Sequence, residues 1–213
     1  MRGLFITVEG GEGVGKSTAL ARVAEQLRAG GVTLHTTREP GGSEFAEDLR
    51  RVLLAVREET VDDLAELLAI FAARAQHLAC LVRPALDAGE WVLCDRFTDA
   101  TYAYQAGGRG MPAAWVRQLE TLVQGDLRPD CTVLLDAPVE TGLERARERG
   151  DLDRFEREQV AFFERVRTTY LRLAAESSGR YRLVDAGRPL PAVQGDLDAI
   201  CRDLLACAAD LRP

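Results

Sequence analysis

Eight consecutive residues, Gly10-Gly11-Glu12-Gly13-Val14-Gly15-Lys16-Ser17, spell G-x-x-x-x-G-K-[ST] directly after the apolar run Leu4 to Val8, with Thr18 following. A strand, a glycine loop and then a helix is the order of a phosphate-binding P-loop. Gly10, Gly13 and Gly15 let the backbone bend until successive N–H groups point inward, which makes a concave nest for phosphate oxygens. The helix expected from Lys16 adds its positive N-terminal end. Lys16 is expected to reach the β/γ-phosphates of ATP as a mobile point charge, and the Ser17 hydroxyl to take a place on Mg²⁺.

Three further groupings could serve the same chemistry. Asp95-Arg96 ends the apolar run W-V-L-C, where an aspartate can hold the Mg²⁺ shell and the adjacent arginine can reach a phosphoryl group. Between Arg145 and Glu158, the arginines 145, 147, 149, 154 and 157 are interleaved with acids and interrupted by Gly150. A glycine in mid-run reads as two helix ends meeting at a turn, the form of a lid that swings arginines over phosphates. The stretch Y-A-Y-Q-A-G-G-R-G from Tyr102 to Gly110 offers Tyr104, Gln105 and Arg109, a mixture suited to a nucleobase and sugar pocket. The T-R-E-P-G-G loop, with Arg38 its one cation, reads as a constrained turn. His35 and His77 lack the spacing of a triad or a metal site and are expected to be structural or at the surface.

These residues need a scaffold that gathers them at one edge. Five apolar runs read as strands, Leu4 to Glu9, Val32 to Thr37, Trp91 to Asp95, Cys131 to Asp136 and Tyr181 to Asp185, most of them separated by long helical pattern. That is the signature of a parallel α/β sheet wrapped by helices, with its ligand beyond the carboxyl ends of the strands. Helices are expected over 16–28, 44–56, 61–88, 112–123, 139–149, 156–176 and from about Leu190.

The bulk properties set outer bounds. The 213 residues suit a single domain spanning 1–213, with a lid at 145–158. No apolar run approaches the ~20 residues of a membrane span, and Met1-Arg2-Gly3 leads straight into the first strand, so a cytoplasmic protein with no membrane association is expected. The net charge of −7 argues against a nucleic-acid surface. Five cysteines without paired spacing read as free, mostly buried thiols. On the residues alone the chain fits a P-loop kinase for some nucleotide or deoxynucleoside, or, from a different class, a nucleotide-switch ATPase that needs no small acceptor.

The P-loop form E-G-x-E-G-x-G-K-S, T-R-E-P-G-G, D-R-F-T-D-A-T-Y-A-Y-Q and P-D-x-T-x-x-L-D together resemble the thymidylate kinase family from Val8 to about Tyr170. The resemblance implies a five-stranded P-loop nucleoside monophosphate kinase fold, typically homodimeric, that moves the ATP γ-phosphoryl to dTMP. By the same resemblance Glu12 lies near the dTMP sugar and phosphate, Arg96 holds the acceptor phosphate and Arg74 reads the base. Thr101 falls at the thymine edge, and Tyr104 closes off the 2′ position. Gly13 stands where one branch of the family carries an arginine, so the resemblance is to the bacterial branch in which lid arginines, here Arg149 or Arg154, supply that charge. Two positions depart from the pattern: Ala100 replaces a frequent serine, and Ile70 replaces the base-stacking phenylalanine, a role then expected of Phe71.

Overall fold

In a computed structural model describing residues 2–148, 153–177 and 179–210, the apolar runs become strands β1 (Phe5–Gly10), β2 (Leu34–Arg38), β3 (Trp91–Asp95), β4 (Cys131–Asp136) and β5 (Tyr181–Asp185). They pair in parallel in the order β2-β3-β1-β4-β5. The P-loop strand is therefore central, and the chain passes from one side of it to the other between β3 and β4, which opens a crevice at the carboxyl ends. Along β1, Ile6 and Val8 pack on Val23 and Leu27 of α1 (Lys16–Ala29) and on Leu197 of α9 (Leu190–Asp210), whereas Phe5 packs on Leu78, Val82 and Phe97 across the sheet. Cover on both faces is why the three central strands β1, β3 and β4 are largely apolar without alternation. Burial of each such side chain stabilises the fold by about 1.5–3 kcal/mol, so the strand that leads into the P-loop is anchored by the densest part of the core.

Where the elements depart from the expected bounds, a local hydrogen bond decides. The strand β2 starts at Leu34 rather than Val32, because Val32 and Gly31 donate back to the Leu27 and Arg28 carbonyls and close α1 in a Schellman turn, with Gly31 at φ +81°. The helix α2 (Glu44–Leu54) is capped by Ser43 and stops short of Val56, where Ala55 turns extended. The expected 61–88 helix is α3 (Asp63–His77), a π-helical turn Leu78–Val82 and α4 (Arg83–Asp87), begun by the Asp62 carboxylate on the Leu64 and Ala65 N–H groups. Pro84 brings no N–H and crowds the preceding turn, and the wider turn, in which Arg83 N–H reaches Leu78 five residues back, makes room for it.

This Asp63–Asp87 rod corrects the expectation about apolar runs, since it is long and apolar enough by length and composition to cross a membrane. Half of it is buried in the protein, with Glu66, Arg74 and His77 in its interior face, which is the pattern of a core helix. After it come α5 (Thr98–Thr101), a π-helical turn Tyr102–Gly108, α6 (Ala113–Gln124), α7 (Val139–Glu148) and α8 (Val160–Glu176). The helix α8 starts later than residue 156 because the Asp153 carboxylate accepts the Phe155 and Glu156 N–H groups and makes a separate turn there. The five cysteines are free, three of them buried.

Candidate active site

The carboxyl ends of β1 and β3 open into a cavity of about 380 Å³. Its phosphate end is the P-loop, with Gly10, Gly13 and Gly15 at φ +142°, +67° and +93°. A Cβ on Gly13 would stand 1.8 Å from the Gly142 carbonyl oxygen, and one on Gly142 would stand 2.3 Å from the Glu12 carbonyl oxygen, so loop and first turn of α7 touch backbone to backbone. No side chain caps the N-terminus of α1. Its first N–H groups are therefore left for an anion. Lys16 folds onto the Gly10 and Gly11 carbonyls, and burial, with Arg96 nearby, lowers its pKa to about 8.

Arg96 is the one non-glycine residue among those described with positive φ, +66°. Its Nη1 donates to the Gly10 carbonyl (3.0 Å) and to the Tyr170 hydroxyl (3.3 Å), and its Nη2 to Glu12 Oε1 (2.6 Å). The Tyr104 hydroxyl donates to the same Glu12 oxygen at 2.7 Å, and its ring lies 4.7 Å under the Arg96 guanidinium. Behind them the fully buried Glu9 accepts from Phe97 N–H and the Tyr170 hydroxyl, both at 2.7 Å. Burial first, and the charge of Asp99 next, push Glu9 up to about 8.

The opposite end of the cavity is built around Arg74, which is 1% exposed. Its guanidinium lies between the rings of Phe71 (4.6 Å) and Phe97 (5.0 Å). Arg74 Nε donates to Glu39 Oε2 at 2.7 Å and Nη2 to Thr101 Oγ1 at 2.9 Å, while Nη1 has no partner. Thr101, Tyr104 and Gln105 reach the cavity together because they share one helical face across α5 and the turn after it. Gln105 commits its amide nitrogen to Glu66 (2.8 Å) and is left with its carbonyl oxygen for a ligand.

Glu12, Gly13, Gly15, Lys16, Ser17, Thr18, Arg74, Asp95, Arg96, Thr101, Tyr104 and Gln105 thus line one cavity. Gly10, Gly11 and Val14 form the loop's inner wall, away from it. Other expected residues lie elsewhere. Phe71 is 2% exposed in a core cluster with Leu67, Met111 and Val116, and Ile70 faces the cavity instead, since only one of two adjacent helix positions can. Arg154 is turned away from the phosphate end: it pairs with the buried Glu66 and donates to the Leu53 carbonyl. Arg38 is drawn off by Glu47 (2.8 Å). Within the Tyr102–Gly110 stretch, Tyr102 bonds Glu120 and Arg109 bonds Glu66, so neither enters the pocket. Arg149 lies outside the described residues.

Sequence reasoning missed one cationic residue of the lining, Arg50, and named another, Arg145, only as one of the arginine-rich run. Arg50 had a legible signal, for it falls on the buried stripe of α2 between Ala46 and Leu53, where helical spacing calls for an apolar residue. Arg145 also lines a neighbouring cavity of about 170 Å³ with Thr18, Arg188, Leu190 and Gln194, reached by the loop after Asp185.

No group of three or more His, Cys, Asp or Glu among the described residues is placed to hold a metal ion by itself. The cavity does contain Asp95 Oδ1, buried and without a partner, and the Ser17 side chain. One carboxylate and one hydroxyl beside a phosphate nest fit Mg²⁺, which takes much of its coordination from substrate phosphates and water.

Comparison with known proteins agrees with this geometry. Residues 8–197 match the family profile described as thymidylate kinase. The chain is 61% identical over 197 residues to a thymidylate kinase of Teredinibacter turnerae, covering 92% of this chain and 96% of that one. It is 59% identical over 205 residues to one of Pseudomonas savastanoi pv. phaseolicola, covering 96% and 98%. The crystal structure of thymidylate kinase from Ehrlichia chaffeensis superposes with a TM-score of 0.71 at 32% identity, over 86% of this chain and 93% of that one. A P-loop and a buried arginine facing each other across one cavity, on a chain this similar along nearly its whole length, mean that it belongs to the thymidylate kinase family.

Proposed function

We propose that the protein is a cytoplasmic, Mg²⁺-dependent kinase that moves the γ-phosphoryl group of ATP to dTMP and so yields the dTDP needed for dTTP. The observation that carries this reading is Arg74: a guanidinium fixed on Glu39, Thr101 and two rings, with its Nη1 left without a partner, suits an acceptor carbonyl on a pyrimidine. Arg96 and Arg50 would hold the acceptor phosphate between that base and the P-loop. Glu12 and Tyr104, already bonded to each other beside Arg96, would wall the sugar. The cavity beside Thr18 and Arg188 would take the adenine.

The acceptor is a phosphate monoester with a second pKa near 6, so at neutral pH it is largely a dianion and needs no base. The task left to the chain is to bring two polyanions into line and spread charge over the group in transfer. Lys16 would meet the donor phosphates, while Arg145 and, from the lid, Arg149 would approach the transferring group. Ser17 and Asp95 would hold Mg²⁺, which would supply positive charge to neutralise the phosphates. Leu64 and Leu68 on α3 and Trp115 and Leu122 on α6 are exposed apolar side chains on neighbouring helices, which supports a homodimer.

The test is ADP release from Mg-ATP with dTMP, dUMP, dGMP, thymidine or no acceptor. Turnover with dTMP and more weakly with dUMP is expected. Release that ignores the acceptor would overturn the reading in favour of a switch ATPase.

A further inference from the structure

The T-R-E-P-G-G loop and His77 are left over when the cavity is accounted for, yet they meet directly behind Arg74. Glu39 is 3% exposed and His77 fully buried. Burial works to raise the Glu39 carboxyl, but Arg74 and His77 outweigh it and hold it below the usual carboxylate range. An ionised carboxylate only accepts. His77 Nδ1, 2.9 Å from Glu39 Oε1, must therefore carry a proton, and Nε2 on the other side of the ring is hydrogen-bonded to the Thr37 hydroxyl at 2.8 Å. The loop is shaped to this ring: a Cβ on Gly42, which sits at φ +85°, would stand 2.4 Å from His77 Cδ2.

The relay runs Thr37 to His77 to Glu39 to Arg74, and each member uses one atom to fix the next. Without His77, Glu39 Oε1 would be buried with no partner, a costly state that the carboxylate would relieve by rotating. Rotation would release Arg74 Nε and allow a second guanidinium nitrogen to turn toward the cavity.

We infer that His77 is a positioning residue that, held by Thr37 and acting through Glu39, leaves Arg74 Nη1 toward the base and thereby sets the preference for a pyrimidine with a carbonyl at position 4 over one with an amino group there. The inference rests on the proposed acceptor site.

The test is calorimetric titration of dTMP and dCMP into wild type, His77→Leu, His77→Asn and Thr37→Val, with KM and kcat measured alongside. His77→Leu should weaken dTMP binding and lower the dTMP:dCMP preference by about tenfold, raising the KM for dTMP with little change in kcat. His77→Asn, which can keep a donor for Glu39, should recover most of the preference. Thr37→Val, a near-isosteric change outside the core, should lower the preference about threefold. Equal weakening of both ligands, or a preference unchanged in Thr37→Val when His77→Leu does not fold, would reduce His77 to a packing residue and overturn the inference. Wild-type protein that binds no dTMP would overturn the acceptor reading and this inference with it; normal wild-type binding with indifferent variants overturns this inference alone.

Discussion

The two ends of the cavity are made in different ways. The phosphate end is one contiguous run in which backbone N–H groups and glycine conformations do most of the shaping, with Lys16 the principal cation. The base end is drawn from the β2 loop, α3 and the α5 region, and its side chains hold one another: Glu39 with Arg74 and His77, Arg74 with Thr101, Gln105 with Glu66. A site built from backbone tolerates little change in chain conformation but few of its side chains matter. A site built from a side-chain network is sensitive to residues well behind the ligand.

Separate variants at the two ends should pull this difference apart. Lys16→Ala should lower kcat on the order of 10²–10³-fold or more, leaving dTMP affinity measured by calorimetry close to wild type. A large loss of dTMP affinity would show that the ends are not independent. Arg74→Met keeps the apolar fill between Phe71 and Phe97 while removing the donors, and it should lower kcat/KM for dTMP about 10²-fold with ATP affinity retained. A matching loss of ATP affinity would break the comparison from the other side.

A smaller effect should appear at Glu9, which lies between the ends. Its folded carboxyl is pushed up to about 8, from an ordinary 4.5, so between those values the folded chain holds a proton that the unfolded chain has lost. The carboxyl's stabilising contribution is full below the lower value and is lost as pH rises through the upper one. Relative to Glu9→Gln, the wild-type melting temperature should therefore fall by several degrees between pH 5 and pH 8. A constant difference across that range would show that Glu9 does not titrate there.

The same contrast explains what was legible in the sequence. The P-loop could be read because its chemistry follows from spacing along the chain, and the centre of the sheet because two-faced burial leaves apolar runs in β1, β3 and β4. Arg154 could not be assigned, since the choice between a phosphate and Glu66 depends on a residue far away in sequence, brought close only by packing. Phe71 and Ile70 differ by one helix position, and only the rotation of α3 decides which faces the cavity. His77 carried no motif at all; its meaning comes from the loop that closes on it. Arg50 is the exception, a cation on an otherwise buried stripe that the helical period exposes on inspection.

The contact between Gly13 and Gly142 also limits how this enzyme can change over generations. What stands in the way of a side chain at either position is a carbonyl oxygen of the other segment, and no amino-acid exchange removes a carbonyl. An arginine at position 13 would need the start of α7 to move first, and that shift would unseat the loop before any new charge could repay it. Lineages that start from this arrangement are thus held to cations that arrive from beyond the loop, such as Arg145, and an inhibitor that rests on the backbone at this seam meets a surface with no side chain to exchange.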